Sequence, residues 1–266
     1  MLHGKNAVIY GAGGSLGSAI ALAMAKAGAR LFLTGRSIAR LEPIAKEIRM
    51  AGGQAEVAVV DAFEAGAIVG HLEEMRRIAG TVDISFNAVG IAVRQSVSLV
   101  DLPVDQFVDP VTQTLRTRFL TAVSAAQFMR QQGRGVILTL TATPGGIGYP
   151  YTGGFAAACA AVESFARNLA AEEGPYGVRV VNIRSGGSPD SAVFADAIEK
   201  YPEEMKVVLA KMKADTMLKE LPLMKDVAQA AVFLSSDQAA RITGVTLDVT
   251  AGTTAGLNYR SERSRS

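Results

Sequence analysis

The chain has 266 residues, 49% hydrophobic and 20% charged, with a formal net charge of +2. Such a chain can bury a sizeable core and is not disordered, and its near-balance of charge argues against nucleic acid or an acidic membrane surface as partner. One cysteine, Cys159, excludes an intrachain disulfide and a multi-Cys metal site, and with only His3 and His71 a multi-histidine centre is not expected, so no metal is assigned.

Met1–Asn6 is polar and short and lacks the charged and apolar regions of a signal peptide. No apolar run reaches the ~18 residues needed to span a bilayer, so a cytoplasmic protein is expected. Taken in chain order, the pattern predicts strand Ala7–Tyr10, helix Ser15–Ala27, strand Arg30–Thr34, helix Ser37–Ala51, strand Ala55–Val60 and helix Ala65–Ile78. It continues with strand Val82–Asn87, helix Pro110–Gln131, strand Gly135–Leu140, helix Phe155–Glu172, strand Val178–Ile183, helix Asp226–Ser235 and strand Val245–Val249. The strands are apolar on both faces, as parallel strands covered on both sides must be. Sustained alternation predicts a single-domain, doubly wound α/β sheet, Rossmann-like, with helices on both faces.

Punctuation supports these bounds. Asp109 is placed to cap a helix that opens at Pro110, whose missing N–H costs nothing there. Gly133 and Gly135 bracket one helix end, and Gly174–Pro175 stops another. Ser188–Pro222 is irregular. It carries a helical pattern, Ala192–Lys213, interrupted by Pro202, and is expected to cover a pocket. The domain is placed at residues 1–257, and the polar tail from Asn258 to Ser266 is expected to fray.

The first strand runs into Gly11-Ala12-Gly13-Gly14-Ser15-Leu16-Gly17 and then an alanine-rich helix. Glycines here allow positive φ and let a backbone approach a pyrophosphate, and the helix start supplies N–H donors. Leu16 breaks the G-x-G-x-x-G spacing, and tight-turn packing is the plain alternative. After the second strand comes Gly35-Arg36, where NAD-selective folds place a carboxylate for the ribose 2′-hydroxyl. The carboxylate is absent, and Arg36, with Arg40 one turn later, suits a 2′-phosphate. NADP(H) is therefore expected in preference to NAD(H), the alternative being a solvated surface arginine.

These residues resemble the short-chain dehydrogenase/reductase family, from about residue 5 to residue 256. Gly11 and Gly17 match its T-G-x-x-x-G-x-G loop, with Tyr10 for threonine and Ser15 for the middle glycine. Asn87-Ala88-Val89-Gly90 resembles its N-N-A-G motif, and Phe233–Asp237 followed by Ile242-Thr243-Gly244 resembles its C-terminal signature. The resemblance implies cofactor contacts at Gly11, Gly13, Gly14, Ser15, Leu16, Gly17, Arg36, Asp61, Ala62, Asn87, Ala88, Gly90 and Gly186. Asp61 would meet the adenine edge, or else cap the next helix with Glu64 in capping-box spacing. Asn87 could serve only to stitch neighbouring strands.

At the chemistry end the resemblance implies a Ser-Tyr-Lys set and a helix asparagine. The corresponding positions read Ala142, Phe155, Cys159 and Thr114. A one-residue slip would offer Thr141 or Thr143 for the serine, but none of the six tyrosines is followed four residues later by lysine. Thr141, Ala142, Tyr149, Tyr151 and Phe155 are the expected substrate-pocket residues, with either tyrosine a possible catalytic group. Cys159 reads as a small buried hydrophobe with no evident cation beside it. His71 and His3 read as incidental. The first functional reading is an NADP(H)-dependent oxidoreductase of altered chemistry, delivering hydride to an iminium or a conjugated C=C. A non-catalytic NADP(H)-binding partner or sensor is the second, and a non-redox enzyme on the same fold the third. A small-molecule substrate and a homodimer or homotetramer are expected. The dimer would pair the helices at 110–131 and 155–172 through Ala125, Ala126, Phe128, Ala157, Ala161, Phe165 and Leu169.

Overall fold

The computed structural model describes residues 1–255. The tail Asn258–Ser266 lies outside the described residues. Seven strands are found among them: β1 (Asn6–Tyr10), β2 (Arg30–Gly35), β3 (Gln54–Val59), β4 (Ile84–Asn87), β5 (Gly135–Ala142), β6 (Val178–Ser185) and β7 (Thr246–Val249). They form one sheet in the order β3-β2-β1-β4-β5-β6-β7, every neighbouring pair parallel. The helices are α1 (Ser15–Lys26), α2 (Ile38–Met50), α3 (Ala65–Ala79), α4 (Val104–Gln132), α5 (Phe155–Glu173), α6 (Ala192–Lys200), α7 (Pro202–Asp215) and α8 (Met224–Ser235).

The period-2 alternation of each strand feeds two cores. In β1, Ala7 and Ile9 join one with Ile20 of α1, Leu41 of α2 and Val227 of α8. Val8 and Tyr10 join the other with Leu72 of α3, Ala125 of α4 and Leu169 of α5. Both faces are buried, so inward and outward positions alike must be apolar, which is why the strands read as unbroken runs. Strand order reverses between β1 and β4, and in such sheets the crevice beyond the strand ends at that point is where a ligand binds.

One helix boundary departs from expectation. α4 begins at Val104, so Asp109 is not its cap and Pro110 is buried inside it. Proline there removes a helical N–H, and the turn before it is held by tertiary packing instead. A Cβ on Gly154, at the start of α5, would collide with the Phe107 carbonyl oxygen, so α5 seats directly on that early turn. The pattern at 192–213 resolves into α6 and α7, broken at Pro202 as expected. Phe194 and Met212 from these helices close against Gly187, just past β6.

Candidate functional site

The crevice is built on Gly11, which leaves β1 at φ +75° with any Cβ only 2.9 Å from the Ala88 and Val89 backbone. Only glycine satisfies both conditions. A Cβ on Gly17 would strike the Gly11 carbonyl oxygen, and one on Gly13 would stand 2.9 Å from the Arg40 Cβ. Gly14 holds the N-cap position of α1 with no side-chain cap, and the first helical bond runs from the Ser18 N–H to its carbonyl at 2.8 Å. The amides of Ser15, Leu16 and Gly17 are thus left without helical partners. Close backbone approach, free amides and the positive end of a helix dipole fit a pyrophosphate.

Arg36 is exposed just past β2, and neither Arg36 nor Arg40 pairs with a carboxylate among the described residues. Asp61 does not cap α3. Its carboxylate accepts the Phe63 N–H at 3.0 Å, and the N-cap position belongs to Glu64, which makes no side-chain cap bond. Ala62 beside it is buried. Asn87 stitches a strand to a helix rather than strand to strand. Its amide donates to the Thr117 carbonyl (3.2 Å) and Thr121 Oγ1 (2.9 Å) on α4, while its Oδ1 accepts the Val89 N–H at 2.9 Å. That last bond shapes the Ala88–Gly90 turn against Gly11. Gly186 donates its N–H to the Val249 carbonyl at 2.9 Å and lies against Pro222.

At the chemistry end, Ala142 closes β5, Phe155 opens α5 and Cys159 follows one turn later, 3% exposed. A Cβ on Gly145, in the turn after Ala142, would stand 2.8 Å from the Cys159 Cβ, so the loop that leaves β5 lies against the first turn of α5. Burial pushes the Cys159 thiol above its usual 9.0. Thr114 lies on α4, its carbonyl accepting Thr117 Oγ1 at 3.1 Å. Thr141 is buried, whereas Tyr149 and Tyr151 are 41% and 60% exposed. Tyr151 sits at φ +61°, and its carbonyl accepts the Ser96 N–H at 2.8 Å. A left-handed backbone is costly for an aromatic residue, so that bond holds a strained turn. The two histidines stay structural: His71 is edge-on to Phe32 at 6.3 Å between ring centroids, and His3 packs on Gly28.

Two features escaped the sequence reading. The first is Arg118, one turn after Thr114 on α4 and only 6% exposed. Its Nη1 donates to Thr117 Oγ1 at 3.0 Å, and its Nε has no partner. Burial pushes the guanidinium down from 12.5 to about 10, and its charge acts on Cys159. At neutral pH it is therefore a buried cation on α4, the helix that packs against α5 and its Cys159. The i,i+4 spacing from Thr114 was the available signal. The second feature is a polar chain through the sheet. Thr139 Oγ1 donates to Asn182 Oδ1 (2.8 Å), Asn182 Nδ2 to Thr141 Oγ1 (2.7 Å), and Thr141 Oγ1 to Glu163 Oε1 (2.9 Å). Arg184 clasps Glu163 through Nε (2.9 Å) and Nη2 (2.6 Å) and reaches Asp248 with Nη1 at 2.8 Å. Gly145 and Gly146 abut Glu163 and Arg184, so the pair fixes the loop after β5.

No three His, Cys, Asp or Glu side chains group to hold a metal, and no helix is long and apolar enough to cross a membrane, among the described residues. A family model described as Enoyl-(Acyl carrier protein) reductase matches residues 11–254. An uncharacterized oxidoreductase of Mycobacterium tuberculosis is 31% identical over 261 residues, covering 95% of this chain and 93% of that one. The 3-oxoacyl-(acyl-carrier-protein) reductase FabG of Pseudomonas aeruginosa is 28% identical over 256 residues, 94% of this chain and 98% of its own. A solved short-chain type dehydrogenase/reductase from Mycobacterium marinum superposes with a TM-score of 0.83 at 26% identity, over 96% of this chain and 97% of that one. Sheet order, glycine cradle and these likenesses over nearly the whole length agree, and the chain belongs to the short-chain dehydrogenase/reductase family.

Proposed function

We propose that this protein is an NADP(H)-dependent oxidoreductase that delivers hydride to a carbon needing no tyrosine proton, an iminium carbon or the β-carbon of a conjugated C=C. The carrying observation is that Ala142 ends β5 while Phe155 and Cys159 share the first turn of α5, which packs against the loop leaving β5. Alanine and phenylalanine have no proton to give, and the thiol is held above its usual range. A positioned general acid commonly contributes ~10²–10⁴-fold, so an ordinary ketone loses that factor here. An iminium carbon accepts hydride as its π electrons return to nitrogen. A conjugated C=C accepts it at the β-carbon, the electron pair moves to the carbonyl oxygen as an enolate, and water later protonates the α-carbon. NADPH supplies the hydride and leaves as NADP+. The matching family description names an enoyl reductase, which is conjugated C=C chemistry, while FabG is named for a 3-oxoacyl substrate. An NADPH-oxidation screen across cyclic iminium ions, enones and ketones tests this reading. Turnover of the first two classes above the ketones is expected; tight NADPH binding with no turnover would favour a non-catalytic binder instead.

The preference for NADP(H) rests on Gly35, Arg36 and Arg40. Arg36→Ala should weaken NADPH binding about tenfold and leave NADH nearly unchanged, as loss of a charge-assisted contact to an exposed phosphate would. Calorimetric titration with both cofactors reads this directly, and equal losses would remove the assignment. We also read the outer faces of α4 and α5 as a surface for a second copy. Ala125, Ala126, Phe128 and Leu169 are buried in the chain's own core, so Phe119, 50% exposed and 5.8 Å from Phe165 between ring centroids, would carry that contact.

A further inference from the structure

Three arginines of this chain hold a carboxylate with the same forked edge. Arg77 grips Glu74 with Nε and Nη2 at 2.7 and 2.6 Å, Arg184 grips Glu163 with the same edge, and so does Arg130 on Glu173. Two parallel N–H donors match the two oxygens of a carboxylate, which makes the pairing specific as well as strong.

Arg118 presents the same edge with no carboxylate on it. Its Nη1 is tied to Thr117 Oγ1, which fixes the plane of the fork. Nε is enclosed and unpartnered, and no acidic side chain lies within ion-pair distance of Arg118 among the described residues. A charged group buried without a partner is costly, and folding alone recovers nothing for it. A side chain on a helix leans back toward the helix N-terminus. From α4 that direction carries the guanidinium over the turn of Thr114, and α4 packs against α5, with Phe119 next to Arg118 stacked on Phe165 of α5. The fork thus stands on the α4–α5 seam, one turn from Thr114, and its charge acts on Cys159 of α5.

We propose that the Nε–Nη2 edge of Arg118 is the receptor for a carboxylate on the substrate, which makes the substrate an anionic small acid. This rests on the hydride-transfer reading and narrows it, to an unsaturated or imino acid whose carboxylate anchors it while its C=C or C=N faces the nicotinamide. Ala142 and Cys159 are smaller side chains than the serine and lysine that the resembling family carries at these positions.

The test compares crotonate with crotonamide, an acid and its neutral isostere, by calorimetry on the full chain with NADP+ bound and again without it. Wild type should bind the acid at least about tenfold more tightly than the amide, the ordinary worth of a charge-assisted pair. Arg118→Met should abolish that preference while raising the melting temperature of the ligand-free protein, since an unpaired buried cation is gone. Arg118→Gln, closer in shape and polarity, should lose the preference as well. Equal affinity for acid and amide in wild type overturns the proposal, and so does an unchanged preference in either folded variant. Loss of NADP+ binding in wild type would instead sink the oxidoreductase reading, and the cofactor-free titration keeps the two failures apart.

Discussion

Restoring serine, tyrosine and lysine at positions 142, 155 and 159 should leave ketone reduction low until Arg118 is removed as well. A lysine at position 159 would put its ammonium in the field of the buried, positively charged Arg118, which already acts on Cys159. Two like charges in one enclosed site oppose each other's ionisation, so the lysine would neutralise and fail to tune the new tyrosine. The quadruple variant Ala142→Ser, Phe155→Tyr, Cys159→Lys, Arg118→Met removes the conflict. It should reduce an activated diketone ~10²-fold faster than the triple variant, the low end of what a matched general acid contributes. The single change Phe155→Tyr should do little, because an isolated tyrosine keeps a pKa near ~10. Rates are to be compared only in variants that still bind NADPH. A triple variant as fast as the quadruple would mean that Arg118 does not crowd position 159.

The second large effect is on stability. Glu163→Ala should cost about 3–5 kcal/mol, because it strands Arg184 and breaks the polar chain from Thr139 to Asp248. Glu163 and Arg184 side chains are only 6% and 13% exposed, so water cannot readily replace the lost partner. Thr141 would also lose its acceptor. A melting temperature lower by ~10 °C is expected for a chain of this size. The double variant Glu163→Met, Arg184→Met should recover much of the loss, since removing both charges leaves nothing stranded. A single variant as stable as wild type would show that Asp248 alone satisfies Arg184.

The sheet was legible because its physics is local and repetitive. Doubly apolar strands, glycine after Tyr10 and stops at Gly133 and Gly174 each follow from backbone rules that neighbouring residues state. The start of α4 was not legible, because Asp109–Pro110 reads locally as a helix start and only the seating of α5 on Phe107 overrides it. Asp61 follows β3 and Asn87 ends β4, but their partners at Phe63, Thr117 and Thr121 depend on how a loop and a distant helix pack. Arg118 was hidden for a similar reason. An arginine in a polar run reads as solvated, and burial becomes visible only when α4 and α5 close on each other. Glu163 sits one turn after Cys159, yet nothing in that spacing names Arg184 on β6 as its partner.

The most direct test of hydride transfer without a tyrosine acid uses NADPH deuterated at the nicotinamide carbon that gives up hydride. The wild-type protein is incubated with an unsaturated acid, a cyclic imino acid and a plain ketone, and the products are weighed by mass spectrometry. Deuterium at the β-carbon or at the former iminium carbon, with little in any alcohol, is the expected result. Deuterated alcohol from the ketone as the main product, or no deuterium in any product while NADPH stays bound, would contradict the account.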